Sequence, residues 1–98
     1  MTAPAVTVYT GSFCGYCLRV LALLQRRGIE FTEINVEDHP GLRNELVARS
    51  GRQSLPQVYL GDRYLGGAAE LTALEQNGEL DRLLAEGAGS AYQLQSEE

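Results

Sequence analysis

Cys14-Gly15-Tyr16-Cys17 carries the most chemistry in this 98-residue chain, which has two cysteines and one histidine. A β-branched run, Ala5-Val6-Thr7-Val8-Tyr9-Thr10, precedes it and is broken by Gly11-Ser12-Phe13. A helical pattern begins at Gly15. The first cysteine therefore falls where a strand hands over to a helix. There the unpaired N–H groups of the first turn place partial positive charge beside its sulfur. Such placement lowers a thiol pKa into the range of about 3.5–7.5 and makes Cys14 a nucleophile at neutral pH. Cys17 lies one turn inside the helix, within disulfide reach but more buried, and can attack a mixed disulfide at Cys14. The two roles follow: Cys14 attacks and Cys17 resolves.

Two other readings of the pair are open. A structural disulfide is one, although so short a loop removes little entropy from the unfolded chain. Half a zinc site is the other. Zinc takes about four ligands, and beyond this pair the chain offers His39 and no further cysteine. The strand–helix context favours redox chemistry.

The elements that position the pair are legible from periodicity. From Gly15 to Arg27 the stripe Cys17, Val20, Leu21 and Leu24 faces inward, with Arg19, Gln25, Arg26 and Arg27 outside it. Gly28 sits where a glycine commonly ends a helix. Glu30 to Val36 alternates, with Phe31, Ile34 and Val36 apolar, as a second strand. Glu37-Asp38-His39-Pro40 reads as a helix start, with Pro40 at or near the first helical position. That helix is expected to turn Leu42, Leu46 and Val47 inward and to end at Ser50-Gly51. Pro56 to Leu60 is a third strand, and a tight turn at Gly61-Asp62 leads to a fourth, Arg63 to Leu65. A helix carrying Leu71 and Leu74 follows Gly66-Gly67 and closes at Asn77-Gly78. A last helical piece contributes Leu80, Leu83 and Leu84. The order β-α-β-α-β-β-α implies an α/β fold: a right-handed parallel crossover, then a hairpin, in a four-stranded mixed sheet with helices on both faces. Residues 1–87 form the single domain, and 88–98 read as a flexible polar, acidic tail.

Composition narrows the partners. A net charge of -5 argues against nucleic acid, whose phosphates call for a Lys/Arg surplus. The longest apolar stretch, Leu18 to Leu24, contains Arg19 and is far short of the ~20 residues that span a bilayer. Met1 to Phe13 lacks the basic start of a secretory signal, so the reducing cytoplasm is the expected compartment. No membrane partner is expected, and the chain is expected to be a monomer.

Over Val6 to about Leu84 the chain resembles a glutaredoxin. The marks are Tyr9-Thr10, Cys14-Gly15-Tyr16-Cys17, Ser50-Gly51-Arg52, Ser54-Leu55-Pro56-Gln57 and Gly66-Gly67; there is no Trp of the kind thioredoxins place before the motif. The resemblance implies a thioredoxin-like fold and a glutathione-dependent oxidoreductase. Its substrates would be protein disulfides and protein–glutathione mixed disulfides. It also implies a glutathione site. Leu55 would offer main-chain hydrogen bonds to the glutathione cysteine, with Pro56 following a cis bond. The amides of Ala68 and Ala69 would hold the γ-glutamyl carboxylate. Arg43, and secondarily Arg52, would serve the glycine carboxylate, and Tyr16 would bond through its hydroxyl.

The chain departs from the family pattern at three positions. Gly11 stands where a lysine is common, Gly15 where proline is frequent, and Ala69 where an acidic or hydroxyl residue is usual, although Glu70 keeps an acid nearby. Two further functions compete with the enzyme. In one, two chains each offer Cys14 and two glutathiones complete a [2Fe–2S] cluster; in that case Cys17 would be idle. In the other, a flavoprotein reductase replaces glutathione as the reductant.

Overall fold

The computed structural model describes residues 6–93, with side chains through residue 86. β1 (Val6–Thr10), β2 (Thr32–Asn35), β3 (Gln57–Leu60) and β4 (Arg63–Gly66) form one sheet in the order β2-β1-β3-β4. β1 pairs parallel with β2 and antiparallel with β3, and β3 pairs antiparallel with β4. The helices are α1 (Gly15–Arg26), α2 (Leu42–Ser50), α3 (Ala68–Gln76) and α4 (Glu79–Gln93). The α/β class and the mixed four-stranded sheet thus agree with the sequence.

Alternation along the central strands builds a core on each face. Val6, Val8, Val58 and Leu60 face α1, α3 and α4 through Val20, Leu23, Leu24, Leu71 and Leu80. Tyr59, Val36 and Leu46 form the second core, under α2, with Tyr9, Leu42, Leu55 and Tyr64 against them. Arg27, outside the apolar stripe of α1, forms ion pairs with Glu75 and Asp81 and so ties α1 to α3 and α4.

The structure corrects three local expectations. β2 is shorter than Glu30–Val36, because Asn35 caps a 3₁₀ turn at Val36–Asp38, its Oδ1 accepting from the Glu37 N–H at 2.9 Å. The following helix starts at Leu42, just past the expected 37–40 segment. His39 is extended (φ -134°, ψ 92°), as a residue before proline tends to be, and Gly41 at φ 88° caps a helix that begins at Leu42. Within it Leu46 is buried but Val47 is exposed, so the inward face is narrower than expected. The backbone of α4 runs to Gln93. No proline interrupts that stretch, and Ala88 and Ala91 favour helix. The end of the expected tail, residues 94–98, lies outside the described residues.

Candidate active site

Cys14 caps α1 in an extended conformation (φ -112°, ψ 105°), and its Sγ accepts the Cys17 N–H at 3.1 Å. The sulfur therefore occupies the place where a helix N-terminus stabilises negative charge. Cys14 and Cys17 are joined as a disulfide with their Cα atoms 5.2 Å apart. Cys17 is buried against the core, while Cys14 is partly exposed. An incoming thiolate thus reaches Cys14 and not Cys17. Phe13, just before the nucleophile, stands wholly in solvent at φ 55°. A bulky side chain rarely takes that left-handed conformation.

The second wall is the segment before β3. The Leu55 carbonyl oxygen lies 3.9 Å from Cys14 Sγ, and the Leu55–Pro56 peptide bond is cis. The third wall is the start of α3, and it depends on two glycines. Gly66 has φ +120°, and a Cβ there would meet Glu70 Cβ at 2.5 Å. A Cβ on Gly67 would come within 3.1 Å of the Pro56 carbonyl oxygen. Only glycine allows so close an approach, and it brings the N-terminus of α3 beside Pro56.

Glu70 partly caps that terminus. Its Oε1 accepts the Gly67 N–H at 2.8 Å, and its Oε2 lies 3.8 Å from Arg52 Nη2. The Gly67 amide, with smaller help from Glu70's own amide and from Arg52, holds the Glu70 carboxyl below its ordinary pKa.

Leu55 thus lies beside Cys14, and the close approach of Gly67 to Pro56 brings the start of α3, where Ala68 and Ala69 lie, beside the same segment. Arg43 stands nearby. Its Nη2 lies 4.0 Å from Glu37 Oε2 and 3.8 Å from the point a Cβ on Gly11 would occupy. With Arg52, Gln53, Leu55 and Gln57 it lines a cleft of about 140 Å³. Tyr16 is exposed, with the Arg19 guanidinium 5.5 Å over its ring. Among the described residues no three His, Cys, Asp or Glu side chains converge as a metal site. To an iron–sulfur cluster this chain offers Cys14 alone as an outward thiol, so further ligands would have to come from elsewhere.

Gln57 is a site residue that sequence reasoning assigned no role. It is buried, and its amide hydrogen-bonds back to the segment leading to Leu55. Its place beside Leu55-Pro56 was visible in the sequence, but its inward direction was not.

Comparison with known proteins agrees with this fold. The family profile for glutaredoxin matches residues 6–65. A glutaredoxin of Pseudomonas aeruginosa is 44% identical over 82 residues, covering 84% of this chain and 98% of that protein. The solution structure of a glutaredoxin from Brucella melitensis is 45% identical, with a TM-score of 0.76, covering 86% of this chain and 91% of that one. A buckwheat glutaredoxin solved as its glutathione complex shares the fold at 24% identity and a TM-score of 0.79, covering 85% of this chain and 78% of that one.

Proposed function

Because this chain belongs to the glutaredoxin family, whose members are thiol–disulfide oxidoreductases, we propose that it uses glutathione to reduce protein disulfides and protein–glutathione mixed disulfides. It would do so as a monomer in the reducing cytoplasm. The observation that carries the reading is the juxtaposition of Cys14 Sγ, held at a helix N-terminus, with the Leu55 carbonyl 3.9 Å away. A thiol peptide joined to Cys14 lies along that main-chain edge as an added strand would.

The reaction runs through four thiol–disulfide exchanges. With both thiols reduced, the Cys14 thiolate attacks one sulfur of the substrate disulfide and expels the other as a thiolate, which takes a proton from water. Cys17 then attacks Cys14 Sγ, releases the second substrate thiol, and closes the disulfide seen in the structure. A glutathione thiolate attacks the exposed Cys14 Sγ and displaces Cys17. A second attacks the glutathione sulfur, forming glutathione disulfide and returning Cys14 as a thiolate. That thiolate is a good leaving group because the α1 N-terminus stabilises it.

The amides of Ala68 and Ala69 would take the γ-glutamyl carboxylate, at a helix start that suits anions. Arg43 would take the glycine carboxylate and Tyr16 a further hydrogen bond. The exposed ring of Phe13 beside Cys14 supports macromolecular substrates, since a polypeptide attached to Cys14 would cover it.

Exchanging the reducing system is the test. Turnover of a peptide disulfide should need glutathione with its reductase. Equal turnover with a thioredoxin-type flavoprotein reductase and no glutathione would refute the reading.

A further inference from the structure

We propose that Gln57 is a positioning residue for the main-chain edge at Leu55, acting through two hydrogen bonds to the segment before it; the assignment rests on the glutathione reading above. Gln57 is the first residue of β3 and is 1% exposed. A buried amide must find partners, since leaving it without them is costly. Its Nε2 donates to the Arg52 carbonyl at 2.9 Å and to the Ser54 carbonyl at 3.2 Å. Its Oε1 accepts from the Tyr59 hydroxyl at 3.3 Å. Two carbonyl partners fix which end of the amide is nitrogen.

Residues 51–56 form neither strand nor helix. Toward α2 the segment is held by Ser50, whose Oγ accepts the Arg52 N–H at 3.0 Å and donates to the Leu46 carbonyl at 3.0 Å. Among the described residues, Gln57 is the sheet side chain that hydrogen-bonds residues 52–54. Leu55 itself makes no ladder bond, because the pairing of β3 with β1 begins at Gln57. Where the Leu55 carbonyl stands relative to Cys14 therefore depends on how residues 52–54 are tied down.

The tie is itself braced. The Tyr59 ring lies edge-on to Tyr9, with centroids 5.5 Å apart, and under the Arg49 guanidinium at 4.4 Å. So the hydroxyl that orients the Gln57 amide cannot swing freely. Cys14 stands at the cap of a different element, α1, and its sulfur makes no hydrogen bond to Gln57, Tyr59, Arg52 or Ser54. Loss of the tie should loosen the docking edge and leave the nucleophile as it was.

The experiment measures glutathione-dependent turnover of a glutathionylated peptide by Gln57→Met, which keeps the bulk and removes both donors. The apparent KM for glutathione and for the peptide should rise about tenfold. The kcat and the pH dependence of Cys14 alkylation should not move. Leu83→Ala, a buried position on α4 outside the core cluster that holds Leu55, supplies the control for lost stability and should leave KM unchanged.

Tyr59→Phe is the second variant, should Gln57→Met fail to fold. It keeps the two donors and frees the amide, so KM should rise about two- to threefold with kcat intact. An unchanged KM in the variants that fold would overturn the assignment. So would a parallel fall of kcat and rise of KM in both Gln57→Met and Leu83→Ala. If the wild-type protein shows no saturable dependence on glutathione, the glutathione reading falls and this assignment falls with it.

Discussion

Cys14 Sγ and the Leu55 carbonyl oxygen lie 3.9 Å apart although 41 positions separate them in the chain. The sulfur is delivered by the end of β1 and the cap of α1, the carbonyl by the segment entering β3. Because β1 and β3 are adjacent and antiparallel, the end of one strand meets the start of the other. The sheet register thus sets the reactive distance.

Cys14→Ser should abolish all thiol-transfer activity, because only Cys14 combines exposure with the helix-terminal field. Unfolding of this variant should show a loss of no more than about 2 kcal/mol, since a disulfide closing so short a loop constrains the unfolded chain little. Alkylation of the reduced wild-type protein at mildly acidic pH, followed by peptide mapping, should mark Cys14 first. Faster labelling of Cys17 would reverse the assigned roles.

Cys17→Ser should keep its action on glutathionylated peptides, since glutathione itself can attack the mixed disulfide at Cys14. Reduction of a protein disulfide by the two-thiol route should fall at least tenfold, with no internal thiol left to release the substrate. The ratio of the two rates is the measurement. Equal loss of both would mean that Cys17 serves the fold or both reactions.

The reactive pair, the order of elements and the sheet were legible because each rests on a local rule. Cys14 and Cys17 sit at a change of period, and β1 is a short β-branched run. Where two local rules competed, the sequence located a boundary only to within a few residues. Pro40 is a good first helical residue, yet Asn35 capped an earlier 3₁₀ turn and Gly41 took a left-handed φ. The walls around Cys14 were less legible still. Gln57 looks like an ordinary polar strand residue until the fold buries it beneath the 52–54 segment. Arg43 is near the site because α2 packs over the face that carries Tyr59, a long-range contact that no spacing reveals.

Glu70 should make the stability of the protein respond to acid. Its carboxyl pKa is lowered in the folded protein, first by the Gly67 amide and then by its own amide and Arg52. A depressed carboxyl contributes stability that is fully present above the unfolded value, about 4.3 for glutamate, and is lost as pH falls through the lower folded value. Glutamine can make the same backbone bond but does not titrate. Urea unfolding between neutral pH and pH 3 should show a shallower acid decline for Glu70→Gln, with a neutral-pH loss below about 1 kcal/mol, as suits an exposed group. Parallel curves would remove Glu70 from the account.

Arg43 and Gly11 should be coupled. The φ of Gly11 is not positive, so its backbone accepts a side chain. A Cβ there would approach Leu55 Cδ1 to 2.9 Å and Arg43 Nη2 to 3.8 Å, so the leucine tip must shift. Arg43→Ala should weaken glutathione about threefold at low salt, the scale of an exposed charge contact. Gly11→Lys in that background should restore most of the loss, while Gly11→Lys alone should gain little beside an existing cation. Titration of glutathione into the four proteins at low and high salt gives the coupling. Strict additivity would separate the two positions.

The most direct test of the glutathione site is to trap it. Cys17→Ser treated with glutathione disulfide should take one glutathione on Cys14, identified by mass spectrometry of the digested protein. The amide spectrum of that adduct, compared with the reduced variant, should move most at Leu55, Ala68 and Ala69, with smaller changes at Tyr16 and near Arg43. If the adduct forms on Cys14 while Leu55, Ala68 and Ala69 stay unmoved, glutathione is not held along this edge and the account of the site is wrong.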